Sequence, residues 1–341
     1  MLSSEVKEQL VKISGLVEPA IKKLLSDGVD PKNQELAFYQ CASGGKRIRP
    51  TLLITSGQVF GADINDLIYP AAAVEIMHNS TLIADDIIDH SEFRRDKPTC
   101  WKNYGRSAAE CMILEYMAAV YEGLMDSKNC SVLTNLFSKT LKKVIDGELN
   151  DILFERSGRN DEDYVVKNRY KTITTDDYFD MIGKKTAVLL KCCCMAGAIV
   201  ADASYAMTEI IGDFGFNLGL AFQIRDDSLD IYGDEKEFGK KIGKDIIEKK
   251  MGNFVILTAM DQLNAVDKKL INKLLTSTAN ISAKEIKTVT DLLDKTDAKE
   301  IADSTANYYI GRAYHSLDKL PQNEYTENLR QIARFIVDRE A

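Results

Sequence analysis

Prolines stand at positions 19, 31, 50, 70, 98 and 321, so residues 99–320 contain none. Proline removes a backbone donor and its ring clashes with the preceding turn of a helix. A proline-free middle of that length therefore admits long, unbroken helices. The apolar residues repeat with the matching period: Val6, Leu10, Ile13, Val17, Ile21 and Leu24 step by three and four, giving one helical stripe. Strict alternation, the mark of a half-buried strand, is scarce. The pattern predicts an all-α bundle of long helices. Pro19 is expected to kink or split the first of them. Turn-rich breaks fall at 27–31, 61–63, 126–129, 157–163 and 233–235. None is a long Gly/Ser/Pro linker, and no unit of ~20–50 residues recurs. The chain, residues 1–341, is read as a single domain.

Inside this helical pattern sits an unusual run, Asp85-Asp86-Ile87-Ile88-Asp89, and the chain repeats its spacing at Asp226-Asp227-Ser228-Leu229-Asp230. On a helix the first and fifth residues lie one turn apart on one face, so Asp85 stands over Asp89 and Asp226 over Asp230. Like charges so placed destabilise a helix by roughly 0.2–0.5 kcal/mol per pair. A solvated acidic face is the plain explanation of either run alone. Two identical spacings in apolar surroundings, with basic residues following each, point instead to a bound counter-ion. Carboxylates without His or Cys select a hard, oxygen-loving cation such as Mg²⁺, which characteristically bridges to phosphates. A calcium loop is excluded, because neither run has the D-x-[DN]-x-[DN]-G register.

Cations accompany the aspartates. Ser43-Gly44-Gly45-Lys46-Arg47-Ile48-Arg49-Pro50 opens a predicted helix with glycines beside three basic residues, an arrangement suited to an anion. It is not a Walker loop: the position five before Gly45 is Gln40, and no Ser or Thr follows Lys46. Arg94-Arg95, Lys184-Lys185-Thr186, Lys240-Lys241 and Lys249-Lys250 add further positive charge. Each is weak evidence alone. Together they describe acidic walls that hold metal and a basic rim for two phosphorylated groups. These local cations must do the attracting, since the net charge is −8 and the isoelectric point near 5.2. That balance argues against a nucleic-acid partner.

The seven cysteines (41, 100, 111, 130, 192, 193 and 194) are odd in number and three are consecutive. They form no disulfide framework and suit a reducing cytoplasm. Neighbours on a helix point ~100° apart, so Cys192, Cys193 and Cys194 cannot chelate one ion and are expected to pack as small apolar residues. The N-terminal residues lack the apolar core of a signal peptide. No long uncharged apolar run suggests a transmembrane helix.

The motifs together resemble the trans-isoprenyl diphosphate synthases: GGKRIRP at 44–50, DDIID with the Arg pair at 85–95, GELND at 147–151, GKKTA at 183–187, GLAFQIRDDSLD at 219–230 and GKKIGKD at 239–245. The resemblance runs from about residue 40 to 255. It implies an all-α bundle of antiparallel helices around a deep central cavity, working as a homodimer. It implies that isopentenyl diphosphate is condensed head-to-tail with an allylic diphosphate. By the same resemblance Asp85, Asp86, Asp89, Asp226, Asp227 and Asp230 hold Mg²⁺, three ions per active site, bridged to the allylic diphosphate. Arg94, Lys185, Lys240 and Lys250 hold that diphosphate too. Lys46, Arg47, Arg49, His78 and Arg95 bind isopentenyl diphosphate, while Thr186 and Gln223 line the reacting centre. Three departures stand out: Ala84 where many members carry His, no Gly-Asp pair in the helix after Gly105, and Glu248-Lys249-Lys250-Met251 in place of Glu-Gly-Lys-x-Thr.

The growing tail should run along the helix that carries Asp85. At 1.5 Å per residue, Ser80 lies about 7.5 Å below Asp85, Met77 about 12 Å and Ala73 about 18 Å, with Thr81 on the same arc. An aromatic residue at the position of Ser80 closes the pocket early in the family. Small Ser80 and Thr81 resemble synthases of geranylgeranyl or longer chains. A farnesyl diphosphate synthase, a class I terpene cyclase and a non-catalytic subunit of a heteromeric synthase are the competing readings.

Overall fold

A computed structural model describes residues 4–233, 243–277 and 279–337. In chain order the helices are α1 (Ser4–Leu24), α2 (Gln34–Ala42), α3 (Ile48–Val59), α4 (Ile64–Ile88), α5 (Cys100–Tyr104), α6 (Arg106–Met125), α7 (Cys130–Phe154), α8 (Asp163–Asn168), α9 (Thr175–Ile182), α10 (Val188–Val200), α11 (Tyr205–Tyr232), α12 (Lys244–Ile247), α13 (Phe254–Gln262), α14 (Ala265–Leu275), α15 (Ala283–Leu293), α16 (Ala298–Leu317) and α17 (Glu324–Val337). The chain is all-α, as its period requires. Among the described residues the strands amount to one small hairpin, Phe93–Arg94 with Lys97–Pro98. A five-residue π-helical turn, Gly183–Ala187, joins α9 to α10.

Of the two outcomes expected at Pro19, a kink or a split, the split does not occur. α1 runs through Pro19 as a single element, its stripe of Val6, Val17 and Ile21 buried. The ring of a helical proline presses on the carbonyl four residues back. Here that residue is Gly15, and α1 nevertheless continues through Pro19 to Leu24.

The chain divides into two compact units. The first comprises Met1–Leu141, Leu190–Gly215 and Ser316–Phe335. Its core includes Leu52, Leu53, Leu67, Ile76 and Tyr116, and the Tyr116 hydroxyl donates to the carbonyl of Ala37 at 2.7 Å. Helices α3 and α10 touch through backbone: a Cβ on Gly197 would lie 2.2 Å from the carbonyl oxygen of Leu53 and 2.6 Å from the nitrogen of Gly57. Cys192, Cys193 and Cys194 are fully buried as expected, and burial pushes the Cys192 and Cys194 thiols up to about 12.

Arg47 ties the start of α3 to two other helices. It is 4% exposed, donates to Glu18 of α1 at 2.6 Å, to Glu75 of α4 at 2.9 Å and to the carbonyl of Cys41 at 2.7 Å. Glu75 is buried as well and also accepts from Asn79 at 3.2 Å. The network is balanced only while all its members are present.

The second unit comprises Lys142–Leu189, Phe216–His315 and Ile336–Ala341. Its core gathers Phe154, Tyr178, Phe254, Val255 and Leu293. Capping boxes start two of its helices, Thr174 with Asp177 on α9 and Ser282 with Glu285 on α15. Each satisfies two backbone donors that a helix end would leave orphaned.

Two stability predictions follow from these contacts. Gly197→Ala forces a methyl group into backbone and is expected to cost about 1–3 kcal/mol, whereas Gly15→Ala should stabilise by roughly 0.5–1 kcal/mol. Arg47→Ala strands the Glu75 carboxylate and is expected to cost about 3–5 kcal/mol, while Lys46→Ala should stay within ~0.5 kcal/mol. Urea unfolding followed by circular dichroism measures all four; an Arg47→Ala protein as stable as the parent contradicts the anchoring role.

Candidate active site

In the first unit the aspartate run closes α4. Asp85 and Asp86 lie in its last turn, and Asp89 caps it, its N–H donating to the carbonyl of Asp85 at 2.8 Å. The one-turn spacing read from the sequence is therefore real. Asp86 is buried, whereas Asp85 and Asp89 are half-exposed. Directly after the helix the chain makes the 93–98 hairpin, which turns Arg94 back on the carboxylates. Its Nε donates to Asp86 Oδ1 at 2.8 Å and its Nη2 to Asp85 Oδ2 at 2.7 Å. Each charge-assisted bond of this kind is stronger than a neutral one.

The hairpin tip is Arg95-Asp96, and both residues have positive φ, 54° and 59°. That is the backbone of a type I′ turn, whose twist fits a two-residue hairpin. It lifts the exposed Arg95 toward the Gly44-Gly45 loop. A Cβ on Gly45, whose φ is 145°, would sit 3.0 Å from Arg95 Nη1 and 3.1 Å from Arg47 Nη1. Glycine is required there by both conformation and space. Lys46 is exposed, with its Nζ 5.2 Å from the centre of the Phe335 ring. Arg49 and His78 are half-buried. Burial, then the charges of Arg49, Arg95, Arg94 and Arg47, hold the His78 imidazole well below its ordinary range. His78 is thus neutral near pH 7 in a cationic pocket. Arg49, His78 and Arg95 belong to one neighbourhood, and Lys46 follows the Gly45 that Arg95 approaches. Arg47, grouped with them by sequence, is paired with Glu18 and Glu75.

Deeper along α4, Ser80, Met77 and Ala73 are buried and Thr81 is half-buried. The Ser80 hydroxyl donates to the carbonyl of Met77 at 2.7 Å and lies 3.7 Å from Met117 Sδ on α6. Ala73 packs beside Gly123, also on α6. The opposite wall of this strip is α6, which the helical-wheel argument on α4 alone had no means of naming.

In the second unit the aspartates end α11 and are held by backbone as much as by side chains. Asp227 is buried and accepts from the Tyr178 hydroxyl at 2.8 Å, from the N–H of Phe254 at 2.9 Å and from Gln223 Nε2 at 2.9 Å. Burial and then the charge of Asp245 push its carboxyl well up, against those hydrogen bonds. Thr186 extends the chain by donating to Gln223 Oε1 at 2.7 Å. Asp230, also buried, accepts the N–H groups of Lys244 and Asp245 on its two oxygens, each at 3.1 Å. Asn253 bonds the carbonyl of Asp227 at 3.0 Å and Asp245 at 2.9 Å while capping α13. Asp226 is half-exposed.

Lys185 stands in the π-helical turn, 2.6 Å from Asp151 and 2.8 Å from Glu148. Lys250 reaches the same Asp151 at 3.2 Å and Glu248 at 3.2 Å. Burial alone would raise the Asp151 carboxyl; the two lysines overturn that and hold it below the usual carboxylate range. Lys240 lies outside the described residues.

Among the described residues no three His, Cys, Asp or Glu side chains already surround a common point. The donors nevertheless suit a hard cation. Each cluster offers only carboxylate oxygens, and each keeps a half-exposed member, Asp85 and Asp89 in one and Asp226 in the other. Tyr178, Asn253, Asp245, Glu75 and Asp151 support the site without having been singled out by sequence. Asp151 and Asp245 lay within quoted motifs; Tyr178 and Asn253 carried no signal.

The polyprenyl synthetase family model matches residues 30–293. A short chain isoprenyl diphosphate synthase of Methanothermobacter thermautotrophicus is 30% identical over 340 residues, covering 98% of this chain and 99% of the relative. The geranylgeranyl diphosphate synthase of Sulfolobus acidocaldarius is 32% identical over 334 residues, 96% of this chain and 97% of that one. Among solved structures, a polyprenyl synthase from Caulobacter crescentus complexed with calcium and isoprenyl diphosphate superposes with a TM-score of 0.86 at 26% identity, covering 98% of each chain. With helices throughout and both aspartate runs intact, the chain belongs to the polyprenyl synthetase family and has its isoprenoid synthase fold.

Proposed function

We propose that this protein, acting as one domain over residues 1–341, condenses isopentenyl diphosphate head-to-tail with an allylic diphosphate to make a geranylgeranyl or longer prenyl diphosphate, with Mg²⁺ as its metal. The observation that carries the reading is the pairing of two intact aspartate runs with a separate cationic neighbourhood formed by the Gly44-Gly45 loop, Arg49, His78 and Arg95. A reaction that ionises one diphosphate while retaining another needs both.

Asp85, Asp86, Asp89, Asp226, Asp227 and Asp230 would hold the Mg²⁺. Support comes from their all-oxygen donor set and from the calcium and isoprenyl diphosphate named for the Caulobacter structure. Bound Mg²⁺ supplies charge neutralisation for the departing diphosphate. Arg94, Lys185 and Lys250, with Lys240 from outside the described residues, take further negative charge of that group. The allylic C–O bond ionises, the double bond of isopentenyl diphosphate attacks the cation, and a proton then leaves, to the released diphosphate. Lys46, Arg49, neutral His78 and Arg95 fix the second substrate in place and so supply the orientation term. Arg47, which also holds the loop that carries Lys46 through Glu18 and Glu75, is grouped with these residues. Thr186 and Gln223 are joined to Asp227 and set its direction.

The protein is read as a homodimer in a reducing cytoplasm. Support lies in an exposed apolar row on α6, with Leu114, Tyr121 and Met125 all more than half exposed, and in seven free cysteines. No described helix is long and apolar enough to cross a membrane. A class I terpene cyclase would need no second anion site, and a non-catalytic subunit would not need to keep both aspartate runs.

Incubation of the purified protein with Mg²⁺, isopentenyl diphosphate and allylic primers, followed by chromatography of the products, tests the reading. Asp85→Asn and Asp226→Asn are each expected to lower kcat by about 10²–10³-fold; condensation at the parental rate by the double variant refutes it. Cyclic products in place of linear ones would favour the cyclase. On the same chromatogram Ser80→Phe, which fills the strip against Met117, should shorten the product and Met77→Ala lengthen it. Unchanged length in both rejects α4 as the wall of the tail pocket.

A further inference from the structure

The run Gly147-Glu148-Leu149-Asn150-Asp151 has no part in the chemistry above, yet its two carboxylates engage two lysines of the second unit. Gly147 lets α7 meet the π-helical turn through backbone: a Cβ there would lie 2.3 Å from the nitrogen of Lys185 and 2.7 Å from its Cα. One turn further along α7, Asp151 Oδ2 faces two ammonium groups, Lys185 Nζ at 2.6 Å and Lys250 Nζ at 3.2 Å. Glu148 engages Lys185 at 2.8 Å and Glu248 engages Lys250 at 3.2 Å. Glu155, another turn on, pairs with Lys250 through backbone and carries Arg159 on its carboxylate at 3.0 Å. Among the described residues Tyr178 also feels the charges of Asp151 and Asp245, and its hydroxyl is committed to Asp227.

Two ammonium groups on one oxygen repel each other, and the repulsion grows as water is excluded. Lysine yields to such pressure by losing its proton, unlike arginine. A diphosphate would compensate the pair only while it is bound. Between turnovers the compensation has to come from the protein, and Asp151, only 6% exposed, is where both lysines converge.

We propose that Asp151, seconded by Glu148, is the positioning residue for the Lys185–Lys250 pair: it keeps both lysines protonated and side by side, so that the diphosphate of the allylic substrate meets a preformed dication. The proposal rests on the assignment of Lys185 and Lys250 to that diphosphate.

Calorimetric binding of an allylic diphosphate analogue with a C–S bond in place of the ionising C–O bond, in Mg²⁺ from pH 6.5 to 9, tests it alongside steady-state kinetics. In Asp151→Asn the lysines lose the carboxylate they share and titrate at lower pH, so affinity should fall about tenfold or more as pH rises. The parent should stay flat, Asp151→Glu should restore the flat profile, and KM for isopentenyl diphosphate should not move. An Asp151→Asn protein that melts earlier but binds with the parental pH profile overturns the proposal, leaving Asp151 a stabilising residue only. Should Asp151→Asn not fold, Glu148→Gln decides, with a shallower slope of the same sign expected and a flat profile overturning. Lys185→Ala and Lys250→Ala separate the two claims. If both bind the analogue like the parent, the lysine assignment fails; if both lose affinity while Asp151→Asn stays flat, the assignment stands and the positioning role falls.

Discussion

Charge that is taken out of water must be met by opposite charge or by fixed donors, and this requirement organises the whole molecule. An isolated buried carboxylate or guanidinium costs several kcal/mol even after relaxation. The chain answers differently at each place. Arg94 bridges Asp85 and Asp86; Glu18 and Glu75 share Arg47; Lys185 and Lys250 share Asp151. At Asp227 and Asp230 the answer is mainly backbone and neutral donors, with the starts of α13 and α12 supplying N–H groups. Helices α3, α4, α7 and α11 are thereby joined to their neighbours.

The six aspartates consequently do not form a uniform set. Asp85, Asp89 and Asp226 keep a share of solvent, while Asp86, Asp227 and Asp230 are pinned from behind. A pinned carboxylate gives a cation a fixed direction, and a half-exposed one can adjust as metal arrives. The lysines and arginines divide in the same way. Arg47 faces inward to the framework, whereas Lys46 and Arg95 stand at the surface of the same loop region.

Much of this was legible beforehand because it depends on local spacing. The helical stripe from Val6 to Leu24, the one-turn stacking of Asp85 and Asp89, the breaks at 61–63 and 126–129, and the burial of Cys192 to Cys194 each follow from period and composition. What escaped depends on partners distant in sequence. Nothing near Arg47 distinguishes it from Lys46 until Glu75, on another helix, is found beneath it. Tyr178 lies 49 residues from the Asp227 it serves, and Met117 lies 37 residues from Ser80. Pro19 does not end the first helix as a helix-breaking residue would, and α1 runs from Ser4 to Leu24 as one element.

The tip of the 93–98 hairpin carries a last implication. Arg95 and Asp96 both adopt left-handed backbone, which costs a residue with a side chain roughly 1–2 kcal/mol. Asn-Gly would make the same turn more cheaply. The chain instead keeps an arginine at this turn, with its guanidinium beside Gly45. An Asn-Gly tip would thus relieve the backbone while removing a cation from beside Gly45, so a gain in stability at this turn would come with a change in local charge.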